Sequence, residues 1–304
     1  MYQLSKAVEL FLSEHIATTR RTYMYTLYEM RDFVGPSRPL DKIGPEHLLE
    51  YVAALRERPT LKSTASFNKH IKTIRTFFNW CIRVRLLTES PAAGLRLRPT
   101  PAEVNRAKAM PDDTYTSLVR YCAALEITRP DHRPLALVLF LGDSGGRIGG
   151  AAGLRWADVD LSARCAVVVE KGKPPRRVYF GPDCAAALKR WRLHQRQSSD
   201  LFVFSATGGP IKAAHLGQYF RRLCQAAGIG SWGPHSLRHR KGYQLTDARI
   251  SPAIAAQVLG DSVEVFLKHY TPKDEGRIRQ TVEELAFQEN AISVPTKIRR
   301  FGGE

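Results

Sequence analysis

The spacing of apolar residues predicts a first third of the chain that is helical throughout. Up to residue 95 the apolar positions recur at helical intervals, and Pro36, Pro39 and Pro59 mark the loops between them. The predicted helices cover residues 5–17, 19–34, 45–57 and 64–85. This pattern predicts an all-helical first domain.

The pattern changes after residue 106. Asp112 or Asp113 can cap a helix that runs through Leu125, and the apolar run from Leu135 to Phe140 predicts a buried helix. Short β-rich segments follow at 159–161, 165–169 and 178–180, with a turn at 171–175. Further helices are predicted at 182–196, 213–227, 236–246, 252–259 and 263–270. The second domain is therefore predicted to be mainly helical with one small antiparallel sheet.

Two prolines within three residues, Pro99 and Pro101, disfavour helix and predict an extended connector between the domains. The predicted fold class is thus mainly α with two domains, the second of them α+β. The predicted ranges are 1–95, a linker at 96–105, a second domain at 106–290 and a tail at 291–304. A helix over 277–287 could dock on a neighbouring molecule or pack on its own domain, and the sequence leaves both open.

The charge balance indicates a polyanionic partner. The 304 residues contain 46 Lys and Arg against 29 Asp and Glu, which gives a net charge of +17 and a pI near 9.9. Basic residues outnumber acidic ones both before and after residue 100. Nucleic acid is the first candidate and an anionic membrane surface the second, while a merely basic soluble protein stays possible on charge alone.

Other features of the composition narrow the class of protein. The longest apolar run, Leu135 to Gly142, has about eight residues against the ~18 of a membrane span. The first residues lack the basic start and apolar segment of a signal peptide, so we expect a cytoplasmic protein without a membrane partner. Five scattered cysteines without a Cys-x-x-Cys pair are typical of reduced core residues.

The fourth predicted helix has one apolar and one basic face. No acidic residue occurs from Thr60 to Thr88. At 100° per residue, one side carries Ile71, Ile74, Phe78, Cys81 and Ile82. The other side carries Lys69, Lys72, Thr76, Asn79 and Arg83. Charge runs are commonly only solvated, but the absence of acid favours a face that binds DNA phosphates or base edges.

Three short segments contain residues suited to phosphate chemistry. Arg147 lies in a glycine-rich turn whose spacing fits neither a dinucleotide loop nor a P-loop. His235 and Arg238 are three residues apart, so on a helix they share a face and could converge on one phosphate. Tyr270 follows a Leu-Gly-Asp-Ser segment near a predicted helix end, where a tyrosine is usually a packing residue. Each segment alone is weak evidence of function. The His and Cys residues do not fall at the spacing of metal ligands.

In this order and at these separations, the segments resemble the tyrosine recombinases of the phage integrase family. Arg147 is followed 24 residues later by Lys171 in a Lys-Gly turn, and Tyr270 comes ten residues after Gly260. Pro-His-Ser-Leu-Arg-His around Arg238 is the most specific match. The resemblance spans nearly the whole chain and implies a core-binding domain at 1–95 and a catalytic domain at 106–290.

The resemblance implies a role for each of these residues. Arg147 and Arg238 become the two catalytic arginines, His235 the histidine of the second box, and Tyr270 the nucleophile. Lys171 becomes the hairpin lysine, although a one-step slip to Lys173 stays open. Because members of the family work without a metal, the resemblance implies that no cofactor is needed. It also implies that the partner is double-stranded DNA, and that a homo-tetramer holds two duplexes. We expect further DNA contacts from Arg240 and Lys241, next to the second arginine.

The residue types fit phosphodiester cleavage. A tyrosine oxygen can attack the phosphorus and later leave, so no energy source is needed. Two arginine forks stabilise the charge on the non-bridging oxygens, and a lysine on a mobile turn can protonate the departing 5′ oxygen. The expected activity is site-specific recombination through a 3′-phosphotyrosine, of the integration or excision type.

Two positions depart from the family pattern. Gly150 stands where the family usually has Glu or Asp, and Asp261 where it usually has His or Trp; we include Asp261 among the candidate catalytic residues. A carboxylate near a phosphate repels it unless a neighbour such as Arg147 or Lys268 pairs with it. Two alternatives therefore stay open: a DNA-binding protein of this fold that does not cut, and a relaxing enzyme like the type IB topoisomerases.

Overall fold

The computed structural model describes residues 2–58, 63–99, 106–129, 131–170, 172–195, 201–271, 276 and 279–284. The chain divides into two compact units, Met1–Ala102 and Glu103–Glu304. The division falls within the segment 96–105 that the prolines single out as a linker, and the domain ranges themselves stay predictions.

Four helices form the first unit. They are α1 (Leu4–Ser13), α2 (Ala17–Val34), α3 (Pro45–Arg56) and α4 (Thr64–Arg83). The Ser63 side chain accepts the Ser66 backbone N–H at 3.0 Å and so caps α4, while Pro45 starts α3 at a position where its missing N–H costs nothing. The boundaries of α2, α3 and α4 lie within two residues of those predicted from apolar spacing, whereas α1 ends at Ser13 and not at residue 17 as predicted.

An aromatic core joins α1 to α4. The Phe11 ring lies 5.6 Å from Phe77 and 5.4 Å from Trp80, both edge-on. The Trp80 indole N–H donates to Glu14 Oε2 at 2.8 Å, which satisfies the polar atom of an otherwise buried side chain. Burying the apolar stripes of α1 and α4 against each other leaves the basic side of α4 facing outward.

The second unit consists mainly of α-helices, with one small sheet between the third and fourth of them in the chain. Its helices are α5 (Asp112–Thr128), α6 (Arg133–Ser144), α7 (Ile148–Gly153), α8 (Pro182–His194), α9 (Ala213–Ala226), α10 (His235–Asp247), α11 (Pro252–Leu259) and α12 (Val263–Tyr270). Its strands are β1 (Val159–Asp160), β2 (Cys165–Val168) and β3 (Arg176–Tyr179), antiparallel in the order β1-β2-β3. The predicted fold class, mainly helical with one small antiparallel sheet, is confirmed.

Helix α6 is the centre of the second unit. Leu135, Leu137, Val138 and Leu141 are all buried, and α5, α8, α9 and α10 pack around this helix. An apolar helix that is surrounded on all sides needs no polar face, which explains the unbroken apolar run in the sequence.

Two helices of this unit end on glycines in the left-handed region. Gly145 (φ +58°) ends α6, and Gly260 (φ +68°) ends α11. A residue with a Cβ is disfavoured at these dihedral angles, so glycine lets each helix stop abruptly and the chain reverse. The residues that follow the two turns are Arg147 and Asp261, and the turns bring them together.

Two further expectations concern the surface and the C-terminus. Within the described part of the chain, no helix is long and apolar enough to span a membrane. Of the helix predicted over 277–287, residues 279–284 are described and are helical. The remaining residues of that helix, and the tail at 291–304, lie outside the described residues.

Candidate active site

Arg147 occupies the turn between α6 and α7. It is the N-cap of α7, and its side chain keeps 33% of its surface exposed. Its backbone N–H donates to Glu170 Oε1 at 3.1 Å, one terminal nitrogen donates to Glu170 Oε2, and the other donates to Asp261 Oδ1 at 2.7 Å. Two carboxylates therefore hold this guanidinium, and part of it faces solvent.

Arg238 projects from the first turn of α10 and is 2% exposed. One terminal nitrogen donates to the carbonyls of Gly145 at 2.9 Å and Leu259 at 2.6 Å. The other donates to Asp261 Oδ2 at 2.5 Å. Because the carbonyls belong to the ends of α6 and α11, this arginine ties both helix ends to α10.

Asp261 joins the two arginines. One carboxylate oxygen bonds Arg147 and the other bonds Arg238, and Lys173 Nζ lies 3.6 Å from Oδ1. Burial raises the pKa of Asp261, but the charges of Arg238, Arg147 and Lys173 outweigh it, so the net pKa lies below the usual value. The carboxylate is therefore ionised at neutral pH. Of the two neighbours considered from the sequence, Arg147 pairs with this carboxylate, and the structure adds Arg238 and Lys173.

Glu170, just after β2, is a site residue that the sequence did not single out. It is 4% exposed and accepts from Arg147 and from Arg176 Nη2 at 3.5 Å. Burial raises the pKa of Glu170, but the backbone hydrogen bond from Arg147 and the charges of Arg176 and Arg147 bring it below its usual value. A signal in the sequence was Gly150, which removes the expected acid from α7 and leaves Arg147 in need of another partner.

Arg176, at the start of β3, was also missed. It donates to the Val258 carbonyl at 3.1 Å as well as to Glu170. Its side chain packs against Gly260, where a Cβ would stand 2.7 Å from Arg176 Cδ. Gly260 thus serves both as the left-handed end of α11 and as the space that Arg176 fills.

The two histidines of α10 lie on the same side of the helix. The rings of His235 and His239 are 4.6 Å apart, and His239 lies 5.8 Å from the Tyr270 ring. Partial desolvation and the charges of Arg238 and Arg147 lower the pKa of His235. Burial and the neighbouring His235 lower the pKa of His239 to about 4. Both rings are therefore neutral at pH 7 and can accept a proton.

Tyr270 is the last residue of α12 and is 2% exposed. Its ring lies 5.3 Å from Tyr243 and 5.1 Å from Phe266, in a small apolar cluster with Leu259. Burial raises the pKa of its hydroxyl, and Arg238 counteracts part of that rise. The phenol thus shares the electrostatic field of the two arginines, although its ring is covered.

The hairpin between β2 and β3 reaches the same site. Lys173 donates to the Gly260 carbonyl and lies beside Asp261. Lys171, the preferred hairpin lysine, lies outside the described residues. The structure therefore brings together Arg147, Arg238, Asp261 and Lys173, with His235 and Tyr270 in the surrounding layer.

Of the two residues predicted to bind DNA beside Arg238, Arg240 has partners within the protein and Lys241 is half-buried. Arg240 Nε donates to Asp112 Oδ1 at 2.7 Å, and its guanidinium lies 4.0 Å from the centre of the Tyr115 ring. Lys241 is half-buried, and burial lowers its pKa. Their DNA contacts stay predictions.

The basic face predicted on α4 is present in the first unit. Its five polar members are exposed: Lys69, Lys72, Thr76, Asn79 and Arg83. Ile71, Ile74, Phe78 and Cys81 are buried and Ile82 is half-buried. Arg83 Nη2 also lies 3.7 Å from Glu14 Oε2, so one cation of this face forms an ion pair within the protein.

Comparison with known proteins gives matches along most of the chain. The model of the phage integrase family matches residues 108–277, and that of the phage integrase N-terminal SAM-like domain matches residues 9–84. The tyrosine recombinase XerC of Xylella fastidiosa (strain 9a5c) is 28% identical over 280 residues, which cover 88% of this chain and 89% of that protein.

Solved structures show the same fold. An integrase of the transposon Tn1549, in complex with a circular intermediate DNA, has a TM-score of 0.73 at 15% identity and covers 93% of this chain and 100% of that one. A lambda integrase tetramer bound to a Holliday junction has a TM-score of 0.64 at 19% identity, covering 85% and 76%.

Proposed function

Because the chain belongs to the phage integrase family, whose members are enzymes that break and rejoin DNA, we propose that it cuts through a 3′-phosphotyrosine at Tyr270. Tyrosine recombinases of this family carry out site-specific recombination. Within that activity, we assign the chain to the integration or excision type, as expected of a mobile element.

The observation that carries this proposal is the anion site formed by Arg147 and Arg238. The two guanidinium groups come from helices far apart in the sequence, yet they grip the two oxygens of one carboxylate at 2.7 and 2.5 Å. The Asp261 oxygens stand in for the non-bridging oxygens of a phosphodiester. Arginine forks fit such pairs of oxygens, and they stabilise the charge that accumulates there during attack.

The other groups supply proton transfer. Neutral His235 hydrogen-bonds the phosphate and assists removal of the tyrosine proton, whose loss burial makes harder. A lysine of the hairpin protonates the departing 5′ oxygen; Lys171 is our assignment, and Lys173 is the alternative. Tyr270 must leave its apolar cluster to reach the phosphorus, so we expect α12 to shift when DNA binds.

The partner is double-stranded DNA. The exposed basic face of α4 supports phosphate contacts by Lys69, Lys72 and Arg83 and a polar contact by Thr76. Assembly of four protomers on two duplexes is proposed from the lambda integrase tetramer on a Holliday junction. Exchange of strands between two duplexes requires at least two cleavages on each, which four nucleophiles supply.

One observation favours a second candidate, a protein that binds DNA without cutting it. One carboxylate, Asp261, bonds both arginines at the position proposed for the phosphate, and Tyr270 is covered. If DNA cannot displace that carboxylate, the anion site stays closed and the protein only binds.

Trapping on nicked duplexes with random flanking sequence separates the two candidates. The wild-type chain is expected to yield covalent complexes after denaturation, and sequencing of the captured DNA is expected to give a shared site. Tyr270→Phe is expected to bind the same DNA without forming the complex. Retention of DNA by the native protein with no covalent complex on any substrate would establish the non-cutting alternative.

A further inference from the structure

The start of α7 lacks the acid that would ordinarily hold it. In a capping box, a Glu or Gln at the third helical position reaches back to the backbone N–H of the N-cap residue. The N-cap of α7 is Arg147, and the third helical position is Gly150, which has no side chain. Gly149 and Gly153 weaken this six-residue helix further, because glycine is the poorest helix former after proline.

Glu170 supplies the missing interaction from another element. Its Oε1 accepts the Arg147 backbone N–H at 3.1 Å, which is the bond that a glutamate at position 150 would make. Its other oxygen accepts from the Arg147 guanidinium. One carboxylate therefore fixes both the main chain and the side chain of this arginine.

The Glu170 side chain lines the space beside Gly150. A Cβ on Gly150 would lie 3.5 Å from Glu170 Cγ and 3.8 Å from Glu170 Oε1, so a side chain there would point into the volume that Glu170 fills. A Cβ on Gly149, one residue earlier, would meet no other described residue within 4 Å. The small residue at 150 and the acid at 170 are thus complementary.

We propose that Glu170 is the positioning residue of the first catalytic arginine, acting as a capping-box glutamate supplied by the end of β2. This rests on the proposed function of Arg147. Asp261 and Glu170 then have different tasks: Asp261 lies between the arginines where the phosphate enters, and Glu170 stays bound to Arg147 behind it. When phosphate displaces Asp261, Glu170 keeps the guanidinium in place.

The proposal is tested by moving the carboxylate from position 170 to position 150. Glu170→Ala in the full-length chain is expected to slow covalent-complex formation on a nicked duplex about 10²-fold, while the DNA dissociation constant stays within about threefold. Glu170→Gly combined with Gly150→Glu is expected to recover most of the lost rate, because the relocated carboxylate reaches the same N–H. A merely structural role would change thermal stability without this rescue.

Glu170→Gly combined with Gly149→Glu is the matched control, since it adds the same charge where the side chain enters open space. It is expected to stay slow. Equal rates for the two relocated variants, or a Glu170→Ala chain that reacts at the wild-type rate, would overturn the proposal. If Glu170→Ala does not fold, the relocated pair decides alone. Failure of the wild-type chain to form any complex would instead count against the proposed function.

Discussion

Asp261 places a negative charge at the point where the proposed mechanism needs a positive one. Its carboxylate bonds both arginines and lies beside Lys173, so the site is a compact ion cluster instead of an open cationic pocket. Buried ion pairs add little net stability, but removing one partner leaves an uncompensated charge. The residue is therefore both a stabilising partner and a competitor of phosphate.

Asp261→Asn is expected to lower stability and to increase the response to anions. Loss of the carboxylate leaves Arg238 buried without its charge partner, at a cost of about 3 kcal/mol. Sulfate then enters the site in its place, so the melting temperature of the variant rises more steeply with sulfate concentration than that of the wild type. Asp247→Asn, which removes an exposed pair with Arg106, is the control and is expected to respond like the wild type. Equal sulfate responses for Asp261→Asn and the wild type would contradict a phosphate-like role.

The lowered pKa of His239 predicts how the free energy of unfolding depends on pH. Its pKa is about 4 in the folded protein against about 6.5 in the unfolded chain, so the unfolded state takes up a proton first as the pH falls. Stability is then lost progressively between about pH 6.5 and pH 4, by about 3 kcal/mol in total, and is unaffected above that range. Urea denaturation of His239→Asn across this range is expected to show a smaller loss than the wild type, and an identical pH profile would refute the assignment.

Sequence motifs pointed to the candidate site residues that lie in local patterns. Arg147, His235, Arg238 and Tyr270 stand in segments whose order is itself informative. Glu170 could not be found in that way, because its partner lies 23 residues away across β1 and β2, and no short pattern records that contact.

At the level of elements, apolar periodicity predicted most helices to within a few residues. It placed the end of the first helix at 17, whereas α1 ends at Ser13, because Ile16 belongs to the apolar spacing but is exposed with an extended backbone. It missed α7, where three of six residues are glycine and tertiary contacts outweigh local propensity.

The packing of α10 against α12 gives a prediction about Gly242. A Cβ at this position would stand 2.6 Å from Cδ1 and Cζ of the Tyr270 ring, so Gly242→Ala must displace the ring. Overpacking of this kind costs about 1–3 kcal/mol and offsets the usual gain of alanine in a helix. Because Tyr270 must leave this cluster to react, overpacking of the covered ring favours its release, and we expect faster covalent-complex formation with unchanged DNA affinity.

Gly217→Ala is the matched control for that substitution. Gly217 is also a buried helical glycine, but among the described residues its Cβ would meet only Pro234 Cγ, at 3.9 Å. It is expected to react like the wild type. A Gly242→Ala chain with the wild-type rate would show that the seat of the Tyr270 ring does not affect cleavage.

At the scale of the whole molecule, both units carry an excess of Lys and Arg. The first exposes the basic face of α4, and the second holds the arginine pair. Long-range attraction by the net charge of +17 favours association with any DNA, while cleavage depends on a few fixed groups. DNA binding and DNA cleavage are thus separable properties. The central claim, that Tyr270 is the nucleophile, concerns cleavage.

The most direct test of that claim is to identify the atom joined to DNA. The wild-type complex, formed on a nicked duplex and digested with nuclease and protease, is analysed by mass spectrometry beside Tyr270→Phe and the neighbouring control Tyr243→Phe. We expect a peptide that carries a nucleotide 3′-phosphate on Tyr270, and a released strand with a free 5′-hydroxyl. Of the two variants, only Tyr243→Phe is expected to form the complex. A nucleotide on another residue, or a complex formed by Tyr270→Phe, would contradict the assignment of Tyr270 as the nucleophile.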